Sequence, residues 1–184
     1  RRQRQMCIRD RPKKVVNYKT VMSDAASGFT SVTYPFPVIR MADLYLMYAE
    51  ALNEKGEDYA TVLPWIDMVR ERSGLQGVKE SWDQYVGNSK YATQTGLRQI
   101  IMQERRIELA FEGHYFWDVR RWKTATTELT QPLTGWKVRY GETDVDYYSE
   151  NLVLVRDFTP KMYFWPIDIG ELRKDPNLVQ NYGW

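Results

Sequence analysis

Residues 97–111 place two glutamates in an otherwise apolar stripe, and this feature restricts what the chain can fold into. Apolar side chains recur every three or four positions along the segment, as on one face of an α-helix, and Glu104 and Glu108 fall on that face. An unpaired carboxylate on a buried helix face is strongly unfavourable. A fold that buries this helix must therefore supply partners for both groups.

Arginine is the expected partner, because its planar guanidinium can bind a carboxylate through two parallel hydrogen bonds. The candidates are Arg70, Arg120 and Arg121. The alternative is a pair of catalytic carboxylates, as in glycoside hydrolysis, but those flank the scissile bond. One turn of a single helix keeps both groups on the same side. The pattern therefore favours a structural ion network of Arg70, Glu104, Glu108, Arg120 and Arg121 over catalysis.

Two earlier segments also have helical periodicity. The first begins near Arg40 and predicts a helix whose apolar stripe comprises Met41, Leu44, Tyr45, Tyr48, Ala51 and Leu52, with small alanines nearby. The second covers roughly residues 60–73, with Val62, Ile66 and Val69 on one face and Gly74 just beyond its end. Pro64 predicts that its regular part starts near Leu63. A short turn between the two helices indicates an αα-hairpin.

The spacing of these patterns leaves an insertion between them. The helices starting near Arg40 and Leu97 are 57 positions apart, whereas a tetratricopeptide repeat advances by about 34 residues. The excess lies in residues 76–95, which are polar but carry three aromatic residues. These rings either stack on sugars or pack back onto the helices. Beyond Lys123 we expect long loops, a strand near residues 152–155 and a short helix starting at 169 after Asp168.

Composition excludes several classes of protein. The 184 residues include one cysteine and one histidine, which excludes a disulfide framework, HExxH and Cys2His2 zinc sites and paired Glu-x-x-His di-iron sites. The sequence also shows no nucleophile–base pair, metal cluster or phosphate-binding loop, so we predict no metal site, no catalytic residues and no cofactor. No apolar run approaches ~18 residues, the length that predicts a transmembrane helix.

The net charge of +2 arises from residues 1–12, which contain five arginines and one aspartate. The remaining residues have 21 basic and 23 acidic side chains, so the case for nucleic-acid binding loses its support. The terminal segment could be a phosphate-binding arm or a disordered terminus, but MCIRD resembles translated transposase mosaic-end sequence. We predict that residues 1–12 are adapter-derived and non-native, and that residues 13–184 are the C-terminal portion of a helical domain.

Four blocks in order resemble the SusD/RagB family of nutrient-binding outer-membrane lipoproteins. They are IRMADLYLMYAEALN at 39–53, VRERSGL at 69–75, ERRIELAFEGH with WDVRRW at 104–122, and FWPI with NLVQNYGW at 164–184. The resemblance spans about residues 34–184. Asp168 and Tyr182 stand where the family more often has proline, which does not affect the expected fold.

The resemblance implies an all-α, tetratricopeptide-like scaffold of helical hairpins with long loops and at most minor β-structure. It also implies non-catalytic capture of oligosaccharide or peptide on the outer face of a Gram-negative outer membrane. The expected partner is a SusC-type TonB-dependent transporter, and the lipid anchor is expected in an N-terminal part that this sequence lacks. The alternative is a helical-repeat scaffold that binds another protein and no small ligand.

Ligand residues in this family come from variable loops, so we expect them among loop aromatics. The proposed stacking residues are Trp82, Tyr85, Tyr91, Trp136, Tyr140 and Tyr148, with Asp83 and Asn88 as hydroxyl partners. Trp82→Ala is expected to weaken glycan retention without lowering thermal stability. Exposed, convergent rings would favour a glycan ligand, whereas a bare apolar helix face would favour a protein partner.

Overall fold

A computed structural model describes residues 14, 17, 19–22, 29–136 and 143–184. The chain divides into two compact units, Arg1–His114 and Tyr115–Trp184. The described residues are mostly helical and include two small antiparallel ribbons, which confirms the predicted all-α class with minor β-structure. Residues 1–12 lie outside the described residues, so their adapter origin remains a prediction.

The first unit consists of a helical core preceded by a short ribbon. Strand β1 (Val21–Met22) pairs with β2 (Phe29–Thr30). The longer helices are α1 (Met41–Lys55), α2 (Tyr59–Arg72) and α4 (Gln94–Glu108). Between α2 and α4 lie α3 (Val78–Ser81), one π-helical segment (Trp82–Val86) and one 3₁₀ turn (Lys90–Ala92). Residues 76–95, expected to form a loop, are therefore largely helical.

Helix α1 buries a different face from the one predicted. Its buried apolar residues are Ala42, Leu46 and Ala49, whereas much of the predicted stripe is exposed, including Met41, Leu44 and Tyr48. The helix is apolar around most of its circumference, so periodicity alone does not select one face. Small side chains allow neighbouring backbones to approach closely, and Ala42 and Ala49 lie on the face that packs.

Helix α2 confirms the predicted core face and corrects the predicted start. Val62, Ile66 and Val69 are buried, as expected. The helix begins at Tyr59 rather than near Leu63, so Pro64 lies inside it. Because Pro64 has no amide hydrogen, one intrahelical bond is absent there. Gly74 ends the turn at φ 74°, a left-handed conformation that glycine adopts without strain.

Helix α4 starts at a side-chain cap and packs against the hairpin. Thr93 Oγ1 accepts a hydrogen bond of 3.1 Å from the Gly96 amide. Leu97, Ile100 and Ile101 are buried, but the predicted stripe does not continue: Ile107 within the helix is 62% exposed, and Phe111, beyond its end at Glu108, is exposed with φ 65°. The buried face therefore covers the first two turns of the predicted pattern.

The second unit combines short helices with a β-hairpin. Helix α5 (His114–Arg121) begins at the unit boundary and is followed by α6 (Ala125–Glu128). The buried core of the second unit consists of Val119, Ala125 and Phe158. A 3₁₀ turn (Pro160–Tyr163) precedes α8 (Ile169–Lys174), which starts after Asp168 as predicted. The Asp168 side chain accepts a bond from the Gly170 amide.

Strand β3 (Leu133–Trp136) pairs with β4 (Glu150–Leu154), and α7 (Asp144–Tyr147) lies in the connection between them. The strand predicted at 152–155 is therefore present, although it starts two residues earlier. Trp136 is directly opposite Glu150 in the register, and an irregularity lies between Leu133 and Thr134. The hairpin thus brings the end of β3 beside the start of β4.

Candidate functional site

Tyr91 is a core residue and not a stacking platform, which corrects the prediction for this position. Only 5% of it is exposed, and its ring packs edge to face against Tyr59 with centroids 5.5 Å apart. Its hydroxyl donates a hydrogen bond of 2.8 Å to Asp83 Oδ1. A glycan cannot stack on a ring that the protein interior already covers.

Three other predicted ligand residues of the 76–95 segment, Trp82, Asp83 and Asn88, contact other residues of the protein. Trp82 is half-buried against the core, and Lys90 Nζ lies 5.4 Å from its ring centroid. Hydrogen bonds from Lys79 and Tyr91 hold the pKa of the Asp83 carboxyl below its usual range. Asn88 Oδ1 accepts the Lys90 amide at 3.2 Å.

Tyr85 is 72% exposed, but it forms no ring contact with another described aromatic residue. These residues therefore do not form one convergent set.

A convergent aromatic group lies instead on the hairpin of the second unit. The Trp136 and Tyr148 rings meet edge to face, with centroids 5.3 Å apart and planes at 81°. Tyr147 contacts Tyr148 in the same manner at 4.9 Å and 84°. Trp136 is 57% exposed and Tyr148 is 50% exposed. We call Trp136 and Tyr148 the aromatic corner; Tyr140, the third aromatic predicted here, lies outside the described residues.

Two features position the rings of the corner, one from strand pairing and one from the local sequence. Strand pairing places Trp136 at the end of β3, and Tyr148 follows α7 directly. Thr143 Oγ1 accepts the Asp146 amide at 3.2 Å and donates to Asp146 Oδ2 at 2.7 Å, a reciprocal arrangement that starts the short helix. Tyr147, which sequence reasoning missed, is adjacent to Tyr148 along the chain.

The two glutamates of α4 are engaged by arginines in the first unit. Arg70 Nη1 contacts the Glu104 carboxylate, and its Nε and Nη2 donate to Gln76 O at 2.8 Å and Ser81 Oγ at 3.1 Å. Glu108 accepts from Arg72 at 2.7 Å and forms an ion pair with Arg40 at 2.8 Å. Both carboxylates therefore form ion pairs with arginines that connect α4 to α2 and to the residue before α1.

Arg40 and Arg72 were missed as partners of Glu108. Arg40 immediately precedes α1, and Arg72 ends α2, so neither position is readily matched to α4 from spacing alone. A further buried pair, Arg105 with Asp43 at 3.0 Å, also joins α4 to α1.

The expected partners Arg120 and Arg121 lie in the second unit. The Arg120 guanidinium carbon is 3.8 Å from the Phe116 ring centroid and 5.0 Å from that of Phe158. Arg121 Nε donates to Asp118 Oδ1 at 2.8 Å. Arg120 therefore contacts aromatic rings and Arg121 pairs with an aspartate within their own unit.

Neither a metal site nor a membrane-spanning helix is found in the described ranges. In these ranges, no group of three or more His, Cys, Asp or Glu side chains is arranged to hold an ion. None of the helices there combines the length and the hydropathy needed to cross a membrane.

The sequence is similar to the SusD family over most of its length. The sequence model described as the SusD family matches residues 8–184. SusD-like protein P25 of Formosa agariphila is 39% identical over 144 residues, which is 78% of this chain and 23% of that protein.

Two solved structures are similar in fold. A SusD-like carbohydrate binding protein from Bacteroides fragilis NCTC 9343 has a TM-score of 0.63 at 31% identity, covering 81% of this chain and 29% of that one. Another SusD-like protein of the same strain has a TM-score of 0.65 at 29% identity, covering 84% and 28%. This chain spans about a quarter of the length of these relatives.

Proposed function

Because this chain belongs to the SusD family, we propose that it binds a glycan at the cell surface and catalyses no reaction. The observation that carries the proposal is the exposed aromatic corner. Aromatic rings that stay half-exposed while held in a fixed mutual orientation provide apolar faces for the C–H faces of sugar rings. The similarity to a SusD-like carbohydrate binding protein supports the same ligand class.

Polysaccharide binding by the 184-residue chain tests the proposal. Affinity electrophoresis with soluble xylan, laminarin, galactomannan, polygalacturonate and alginate identifies a bound probe, and titration calorimetry measures its affinity. Trp136→Ala is expected to weaken binding of that probe about tenfold or more, because the stacking surface is removed.

Trp165→Ala is the matched control, because Trp165 is a 65% exposed indole in the same unit and lies outside the corner. It should leave the affinity unchanged. Equal loss in both variants, or binding unaffected by Trp136→Ala, would contradict the proposed site.

The captured glycan would pass to a SusC-type TonB-dependent transporter in the outer membrane. Family membership supports this partner and a location on the outer surface of a Gram-negative cell. Purification of the tagged product of the whole gene from outer membranes tests both. Co-purification of a barrel transporter supports the assignment, and its absence from the purified membrane complex counts against it.

A protein-binding scaffold is the alternative function, and the exposed apolar face of α1 favours it. Met41, Leu44, Met47 and Tyr48 are all substantially exposed on this helix. If no polysaccharide binds, and a co-purifying protein is lost on substitution of Leu44 and Met47 by serine, the scaffold function is favoured.

A further inference from the structure

The aromatic corner presents the exposed faces of two rings that meet edge to face. Its two rings are nearly perpendicular at 81°, so their exposed faces do not form successive parallel platforms along a flat chain. A sugar stacked on one ring would have the other ring at its side. The contact of Tyr148 with Tyr147, at 84°, holds the second wall of the corner in place.

Glu150 lies beside this corner because of the strand register. It is the direct cross-strand partner of Trp136, and such partners project from the same face of a sheet with Cβ atoms about 4.5–5.5 Å apart. The Glu150 side chain is exposed, and no described residue forms a hydrogen bond or an ion pair with its carboxylate. The carboxylate is therefore available to a ligand seated on Trp136.

The described segments that form the corner contain acidic side chains but no basic ones. In the described parts of the hairpin and its connection, residues 133–136 and 143–155, the acids are Asp144, Asp146 and Glu150, and there is no lysine or arginine before Arg156. Over the whole of residues 133–155, four acids outnumber two bases, Lys137 and Arg139, which lie outside the described residues. A chain bearing carboxylates or sulfates seated on Trp136 would meet the like charge of Glu150, and this repulsion weakens with salt.

We propose that Glu150 determines ligand specificity at the aromatic corner. Its carboxylate would accept hydrogen bonds from the hydroxyls of an uncharged sugar residue stacked on Trp136, and it would disfavour polyanionic glycans. This inference rests on the proposed function, since it names the ligand class of the same site. Hydrogen bonds to a charged acceptor are stronger than those to a neutral one, so the charge and not only the shape of the side chain contributes.

Three variants of the 184-residue chain test this proposal. With the bound neutral probe among xylan, laminarin and galactomannan, Glu150→Gln is expected to bind about three- to tenfold more weakly, because the acceptor loses its charge. Glu150→Lys is expected to gain affinity for polygalacturonate and alginate at low salt and to lose it at high salt. Glu171→Gln removes the same charge from exposed helix α8 and should change neither affinity.

The outcomes separate the two proposals. If the affinity for the neutral probe depends on Trp136 but is unchanged in Glu150→Gln, the role of Glu150 is overturned, whereas the proposed binding site is retained. Wild-type binding of polygalacturonate as tight as that of the neutral probe would overturn the specificity inference as well. Loss of any dependence on Trp136 would overturn the proposed function itself. Near-ultraviolet circular dichroism checks that the packing of the aromatic side chains is retained overall in each variant.

Discussion

Arg40 and Glu112, which are 72 positions apart, form a two-pronged ion pair in the first unit. Arg40 Nε donates to Glu112 Oε2 at 2.9 Å and Nη2 donates to Oε1 at 2.8 Å. Lys14 Nζ adds a second cation at 2.5 Å. Burial raises the pKa of Glu112, but hydrogen bonds from Arg40 and Lys14 outweigh it, so the pKa lies below its ordinary value. The pair joins the start of α1 to the chain just beyond α4.

Glu112→Gln is expected to lower the free energy of unfolding by about 1–3 kcal/mol at pH 7, because a charged acceptor of several hydrogen bonds is replaced. The folded-state pKa lies below the unfolded one. The contribution is therefore complete above the unfolded pKa of about 4.3 and is lost as the pH falls through the folded pKa. Urea denaturation of both proteins at pH 7, 5 and 3.5 should show the difference shrinking with acid.

Glu57→Gln provides the control for this pH series. Glu57 pairs with the exposed Lys55 at 2.5 Å, and solvent screens this surface contact, so its loss should change stability little at any of the three pH values. A difference between wild type and Glu112→Gln that stays constant from pH 7 to 3.5 would argue against the ion pair as its source.

Arg70→Lys is expected to destabilise the first unit by about 1–3 kcal/mol. The guanidinium bonds the Glu104 side chain, a carbonyl and a hydroxyl at once, and a lysine ammonium cannot reproduce this geometry. Arg72→Lys is the comparison, since the Arg72 side chain is 56% exposed and should cost less than about 1 kcal/mol. Equal midpoints for the two variants in denaturant would refute this ranking.

Gly96→Ala is expected to cost about 1–3 kcal/mol, although alanine is the better helix former. A Cβ at this buried position would overlap the Lys90 carbonyl oxygen and lie 2.7 Å from Thr93 Oγ1. Gln99→Ala on the exposed face of α4 should change stability by no more than about 0.5 kcal/mol. Thermal unfolding followed by circular dichroism compares the two; a stabilised Gly96→Ala variant would show that the turn is not packed this closely.

Trp82→Ala is expected to lower stability by more than about 1 kcal/mol, in contrast to the expectation from sequence. Trp82 packs against the core and beneath Lys90, so its removal leaves a partial cavity. Because Trp82 is only half-buried, the loss of stability should be smaller than the ~3–5 kcal/mol expected for a fully buried tryptophan. Tyr85→Ala, at an exposed position of the same segment, should stay within about 0.5 kcal/mol of wild type. Similar melting temperatures for both variants would restore the sequence-based view of Trp82.

Local signals predicted much of the helical framework. Val62, Ile66 and Val69 share one side of α2 as their spacing requires, and Gly74 ends the helix where a left-handed residue was expected. The Arg70–Glu104 contact follows from the same logic, because a carboxylate in an apolar stripe demands a cation. The aromatic corner was only partly predictable, since Trp136 and Tyr148 were named but their meeting was not.

Where helices form, how several of them end and that the carboxylates of α4 need partners follow from the sequence alone, because these depend on nearby residues and on residue chemistry. Three features depend on the folded molecule: Arg40 and Arg72 bind Glu108, α1 buries Ala42 and Ala49, and Glu150 lies opposite Trp136. Each of these depends on how distant segments pack or on strand register. Several pairings satisfy the same local preferences, and close packing in three dimensions selects among them.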